Sequence, residues 1–237
     1  MKANIKQQLL LAFIIILLIS ACKPKDESPI ETSNETLPSI TKVKLATPQN
    51  NPKPTALCSS DLLQTIRQSA QKHEGTPYSV ANKTDCSGMF HKVLGDVQKA
   101  CPQAKLPLLN DARSSRDLAR WYHDNGEFQI IRDSEKSGHL IHPGAVMFYG
   151  QSGKIYNQKT LTIEEMTTAG EGVNHIGVVT EVEVKDGKIV SYQLFHGRRP
   201  GKPAITSTLY LATPHNPDVP PYGNWKEPWL GIAELLP

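Results

Sequence analysis

Residues 175–196 read HIGVVTEVEVKDGKIVSYQLFH, and this stretch decides the fold class. Two runs rich in β-branched and other apolar residues, His175–Val184 and Lys188–His196, flank the dipeptide Asp186-Gly187. An Asp-Gly pair between two such runs is a strong hairpin signal, because the tight turn needs residues that tolerate positive φ. We therefore predict two antiparallel strands joined by a two-residue turn.

The chain before this hairpin has the periodicity of helices. Apolar residues recur at spacings of three and four after Cys86, which predicts a helix that ends before Pro102. Weaker patterns predict helices over Asp61–His73 and from about Arg113 to His123. Further strands are expected at Ala145–Tyr149, Ile205–Leu211 and Trp229–Leu235. Helices first and strands later predict an α+β domain, with N-terminal helices packed on an antiparallel β-sheet.

The N-terminus has the layout of an export signal. Lys2 and Lys6 precede an uninterrupted apolar run, residues 9–19, which is too short for the roughly 20 residues that a membrane-spanning helix needs. Residues 19–22, ISAC, resemble the lipobox of bacterial lipoproteins, in which acyl chains are attached to the cysteine after cleavage before it. We therefore expect a signal peptide at 1–21 and a mature chain anchored to a membrane of the cell envelope through lipidated Cys22.

The rest of the chain divides into a tether and one domain. Residues 22–57 are rich in Pro, Ser, Thr, Asn and Lys without a sustained apolar period, so they are predicted to be a flexible tether. Residues 58–237 suffice for one domain with a sizeable core. The mature chain has 24 basic and 23 acidic side chains, a balance that does not suggest a nucleic-acid partner. We expect a monomer.

The four cysteines predict one reduced thiol. If Cys22 carries lipid, three remain, and an odd number leaves at least one that is free or paired between chains. Cys58 and Cys101 stand beside polar, loop-like residues, whereas Cys86 stands at the start of a helix. We predict a disulfide between Cys58 and Cys101 and a reduced Cys86.

Cys86 and two histidines are the candidates for chemistry. The first turn of a helix offers unpaired N–H groups and the positive end of the dipole, so we expect a lowered pKa for the Cys86 thiol. Gly88 would leave room for the backbone to approach a substrate. His175 opens the first strand of the hairpin and His196 closes the second, so the turn should bring them together. The pattern predicts Cys86 as nucleophile, His175 as base and His196 as the group that orients it.

These residues belong to a series of motifs that resembles, in order and character, the NlpC family of papain-like cell-wall cysteine peptidases. The resemblance covers about residues 58–237. The matching blocks are Gly75-Thr76-Pro77-Tyr78, Asp85-Cys86-Ser87-Gly88, His142–Phe148, His175–Val178 and His196.

The resemblance implies a papain-like fold and hydrolysis of amide bonds in peptidoglycan stem peptides, at the bond between D-glutamate and diaminopimelate or lysine. It implies a thiolate at Cys86, a base at His175, a third polar residue at His196 and a contribution of Tyr78 to the oxyanion site. No cofactor is implied. The connection over residues 151–173 is long and could reshape the cleft.

Two other functions stay open. One keeps the chemistry and changes the bond, as an amidase at muramoyl-alanine or an enzyme that cleaves cross-bridges. The other is a catalytically silent lipoprotein that binds wall peptides, in which Cys86 and His175 would be ordinary structural residues.

Some polar residues are expected to have no catalytic role. His139 and His142 have no cysteine or carboxylate at ligand spacing, so no metal site is predicted there. Four arginines could meet substrate carboxylates, but we expect solvated surface charge at each; they are Arg113, Arg116, Arg198 and Arg199.

Overall fold

The computed structural model describes residues 61–213, 216 and 218–236, all within the compact unit Asn50–Pro237. The predicted signal peptide, tether, lipidated Cys22 and disulfide partner Cys58 lie outside the described residues. Within that part of the chain, no helix is long and apolar enough to cross a membrane.

Three helices come first, as the sequence predicts. They are α1 (Leu62–His73), α2 (Cys86–Ala100) and α3 (Ser115–Asp124). Asp85 caps the start of helix α2, and its carboxylate accepts a hydrogen bond from the Gly88 N–H at 3.0 Å. Helix α3 begins with a capping box, in which Ser114 and Asp117 each accept the other's backbone N–H. Side-chain oxygens thus satisfy N–H groups that have no partner within the helix.

A six-stranded sheet follows, and every pairing within it is antiparallel. Its strands are β1 (Phe128–Ile130), β2 (Ala145–Tyr149), β3 (His175–Lys185), β4 (Lys188–His196), β5 (Ile205–Tyr210) and β6 (Trp229–Glu234), in the spatial order β1-β6-β2-β3-β4-β5. The predicted hairpin is β3–β4, and its turn residues Asp186 and Gly187 have φ of 52° and 73°. The mixed fold of helices and an antiparallel sheet is therefore confirmed.

The sequence analysis missed three short elements. They are β1, a 3-10 helix at Lys136–Leu140 and helix α4 (Ile163–Thr167). None is long enough to show a periodic pattern. Helix α4 lies within the long connection before β3 and packs against α3, where Arg120 contacts Glu164 and Thr167.

Both faces of the sheet are covered. Strand β2 is buried throughout, with Val146 and Phe148 in the core that faces the helices and Met147 and Tyr149 in a second core on the opposite face. Helix α2 packs on β3 and β4. That packing brings the N-terminal end of α2, which carries Cys86, to the open end of the hairpin, where the two histidines lie.

Candidate active site

Cys86 is the first residue of α2, and its side chain is partly buried. Its Sγ lies 3.5 Å from Ser115 Oγ and 3.8 Å from the carbonyl oxygen of Asn174. Ser115 is the first residue of α3, and Asn174 directly precedes His175. The thiol therefore lies between the start of α3 and the start of β3.

His175 and His196 form a buried pair, as the hairpin predicts. His175 Nε2 lies 2.6 Å from His196 Nδ1, and the two rings are nearly perpendicular, at 88°. His196 Nε2 lies 2.9 Å from Ser207 Oγ on β5. The three side chains form one hydrogen-bonded chain across three neighbouring strands.

This chain fixes where the protons must be for catalysis. A base at His175 needs a free Nδ1, so its proton must be on Nε2 and be donated to His196 Nδ1. His196 then has its own proton on Nε2, which it donates to the Ser207 hydroxyl oxygen. Only this order of protons leaves His175 Nδ1 able to accept the proton of a thiol.

The start of α2, which carries the thiol, lies against the chain that directly follows His196. Gly197, next to His196, lies so close to α2 that an added Cβ would be 2.7 Å from the Asp85 carbonyl oxygen. In the described part of the chain, hydrogen bonds join His175 to His196 but not to Cys86; the thiol contacts Ser115 and Asn174 instead.

Burial makes the neutral forms of these groups the stable ones. It lowers the pKa of His175 to about 4, with a further contribution from the positive charge of Arg198. The pKa of His196 is likewise far below its ordinary value. Burial raises the pKa of Cys86, and the Asp85 carboxylate adds to this, while the Ser115 hydroxyl opposes it. The expected direction of the pKa shift is therefore wrong, because desolvation outweighs the hydrogen bonds from the Ser115 hydroxyl and the Ser87 backbone.

Arg113 is not the solvated charge that the sequence suggests. Its side chain is only 32% exposed, and its two terminal nitrogens donate to Asp85 Oδ1 at 2.9 Å and Ser87 Oγ at 2.7 Å. It thus ties the start of α2 to the loop before α3 and offsets the negative charge of Asp85 beside the thiol. No sequence pattern predicts this contact, because the two residues are 28 positions apart.

Tyr78 interacts with the thiol, whereas Gly88 lies against the backbone of the chain. The pKa of Tyr78 is raised by partial burial, by Asp85 and by Cys86, so its side chain is within electrostatic range of the thiol; a role in the oxyanion site stays a prediction. An added Cβ at Gly88 would be 2.2 Å from the carbonyl oxygen of Lys83. Gly88 therefore accommodates the chain's own backbone, and not a substrate as expected.

A cavity of about 380 Å³ opens beside the histidine pair. The side chains that line it include His175, His196, Arg198, Arg199, Trp225 and Glu227. Burial raises the pKa of Glu227 to about 7, and its Oε2 accepts a hydrogen bond from Asn224 Nδ2 at 2.6 Å. Neither Glu227 nor Ser115 belongs to a motif that the sequence shows, because Glu227 lies in a loop and Ser115 is the first residue of α3.

The two histidines of the segment before β2, His139 and His142, contact different groups. His139 Nδ1 contacts the Lys136 carbonyl oxygen, whereas His142 Nε2 contacts the Glu234 carboxylate at 2.8 Å. Among residues 61–213, 216 and 218–236, no group of three or more His, Cys, Asp and Glu could hold a metal ion.

Two cysteines fall within the described residues. Cys86 is a free thiol and Cys101 is disulfide-bonded. Because Cys58 lies outside the described residues, its pairing with Cys101 stays a prediction.

A distant match is found among solved structures. The sequence matches no protein-family model and no curated protein. A crystal structure of a protein similar to lipoprotein, of the NLP/P60 family, from Staphylococcus aureus is 18% identical, with a TM-score of 0.40. The match covers 75% of this chain and 42% of that one.

Proposed function

We propose that this protein is a cysteine-type amide hydrolase that acts on the stem peptides of peptidoglycan, as an endopeptidase between D-glutamate and the diamino acid that follows it. The observation that carries the proposal is the chain His175–His196–Ser207 beside a reduced cysteine at a helix N-terminus. The choice of substrate comes from the motif resemblance over residues 58–237.

The proposed mechanism starts from a neutral pair. When substrate binds, the thiol of Cys86 passes its proton to His175 Nδ1, and Sγ attacks the carbonyl carbon of the scissile amide. His196 accepts the hydrogen bond from His175 Nε2 and stabilises the imidazolium that forms. The free N–H groups of the first turn of α2, with Tyr78, face the developing oxyanion. His175 then gives its proton to the leaving amine, and water hydrolyses the thioester with His175 as base.

The proposed location is the cell envelope. Lipidated Cys22 would hold the protein on a membrane of the cell envelope, and residues 22–57 would let a monomeric papain-like domain reach the wall. A soluble form without lipid would be expected to keep hydrolytic activity while losing membrane attachment.

A silent wall-binding lipoprotein is the second candidate. The raised pKa of Cys86 favours it, as does the lack of a hydrogen bond between Cys86 and His175 within the described residues. It predicts binding of wall peptides without turnover.

Digestion of purified peptidoglycan by the mature protein separates these functions. Mass spectrometry should find a new amine on the diamino acid at the position that was joined to D-glutamate, and Cys86→Ala should release none; a new amine at its cross-linked position would assign cleavage of cross-bridges. A new amine on L-alanine would assign the amidase activity instead. Retention on peptidoglycan without any released amine would assign the silent binder.

A further inference from the structure

The cavity beside the histidine pair is lined by His175, the proposed proton donor to the leaving group, whereas the nucleophile Cys86 does not line it. His175 must give its proton to the nitrogen of the leaving amine, so groups that share a cavity with His175 face the residue that carries this amine. This step rests on the proposed function.

Two arginines give this cavity its positive charge, and burial raises the pKa of Glu227, the acidic residue of its lining, to about 7. Arg198 is partly buried and Arg199 is exposed, and within the described residues neither guanidinium has a hydrogen-bond or ion-pair partner. The charge of Arg198 acts on both histidines, since it lowers the pKa of each. A guanidinium is a planar fork that matches a carboxylate, so an unpaired arginine in a cavity suits an anionic ligand.

Trp225 gives the cavity an apolar wall. It is 65% exposed, at the tip of a short turn in which Asn224 and Glu227 exchange two backbone hydrogen bonds. Its φ of 57° lies in the left-handed region, which is unfavourable for a bulky side chain. A large apolar side chain held there would shield the arginines from water and strengthen their contact with a carboxylate.

We infer that this cavity is a leaving-group subsite for a residue with a free carboxylate, with Arg198 and Arg199 as the residues that determine specificity. A side-chain carboxylate distinguishes diaminopimelate from lysine, so the subsite selects walls built with diaminopimelate. Amidation of that carboxylate removes its charge and weakens recognition.

Two synthetic stem peptides test the inference, identical except that the diaminopimelate carboxylate is free in one and a carboxamide in the other. The quantity measured is the ratio of kcat/KM for the two peptides. We expect wild type to favour the free carboxylate about tenfold or more, as for a charge-assisted contact. In Arg198→Gln/Arg199→Gln the ratio should fall towards one. Because the ratio compares two substrates on one enzyme, any change in the histidine pKa affects both alike.

The control variant is Lys185→Gln/Lys188→Gln, which removes the same charge at the exposed opposite end of the hairpin and should keep the wild-type ratio. Thermal melts check that each variant is folded.

Dissociation constants of the Cys86→Ala protein for both peptides give a second readout that needs no turnover. A tenfold preference in binding that is lost when the two arginines are replaced would support the subsite, even if wild type hydrolyses neither peptide. Absence of hydrolysis would contradict only the proposed function. Equal affinity and equal kcat/KM for both peptides would overturn the subsite.

Discussion

At the scale of single residues, the site depends on which ring nitrogen of His175 and of His196 carries the proton. Two buried neutral imidazoles 2.6 Å apart can share one proton only if one ring donates and the other accepts. Ser207 supplies the acceptor that fixes this order at the far end. His175 must exchange a proton with substrate, whereas His196 need only accept a hydrogen bond, so the two histidines should respond differently to substitution.

Substitution of each histidine tests this difference. His175→Ala and His175→Gln should abolish turnover of wall peptides, because neither side chain can take and return a proton. His196→Asn or His196→Gln should keep substantial activity through the amide oxygen, while His196→Ala should lose about ten- to a thousandfold in kcat/KM, or roughly 1.4–4 kcal/mol. Full activity in His175→Ala would contradict the assignment of the base.

The pH dependence follows from the pKa of His175, which is about 4. The base works only when neutral, so kcat/KM should fall as the pH drops through about 4, well below the 6.5 of an ordinary histidine. Arg198→Gln removes a positive charge that lowers this pKa, so the acid limb should move to higher pH. The amidated peptide is the substrate for this profile, because its modified side chain does not titrate. An acid limb that stays in place in Arg198→Gln would contradict the assigned influence of Arg198.

At the scale of elements, two glycines in α2 have opposite surroundings. An added Cβ at Gly88 would meet the backbone of Lys83, whereas at Gly95 it would meet nothing within 4 Å. Gly88→Ala should therefore destabilise the domain by about 1–3 kcal/mol through overpacking. Gly95→Ala should stabilise it by about 0.5–1 kcal/mol, because alanine favours the helix. Denaturant unfolding of the two variants measures both; equal effects would show that the close approach at Gly88 is absent in solution.

The sequence predicted those elements whose length exposes a pattern. Helix α2 and the β3–β4 hairpin each contain enough residues to show a period, and the Asp186-Gly187 turn fixed which strand ends meet. That was sufficient to bring His175 and His196 together. The contacts of Arg113 with Asp85 and of Cys86 with Ser115 depend on how separate helices pack, so no local pattern encodes them. The direction of the pKa shift of Cys86 has no local pattern either, because burial is a property of the folded domain.

At the scale of the whole molecule, we expect the cysteines to divide into an anchor at Cys22, a crosslink between Cys58 and Cys101, and a nucleophile at Cys86. We expect thiol counting on unfolded, unreduced mature protein to find one free thiol, at Cys86. A disulfide between Cys58 and Cys101 would close a loop of about 40 residues and contribute about 4 kcal/mol in the chain-entropy model. Three free thiols would remove this disulfide from the account.

Membrane attachment is the other expectation at this scale. Cys22→Ser should leave the protein without acyl label and uncleaved by the lipoprotein peptidase. Equal labelling of the mature protein with and without Cys22 would contradict the anchor. Hydrolysis by the domain should not depend on this change, because the thiol and its histidines lie within residues 86–207.

Stepwise alkylation tests most directly the claim that amide hydrolysis runs through the Cys86 thiol. The mature protein is treated with increasing iodoacetamide, and each sample is divided between peptide mass spectrometry, for the fraction of Cys86 modified, and a peptidoglycan assay, for the rate of amine release. We expect the rate to fall in proportion to the modified fraction and to reach zero when Cys86 is fully modified. Amine release by fully alkylated protein, or none by the unmodified protein, would contradict the account.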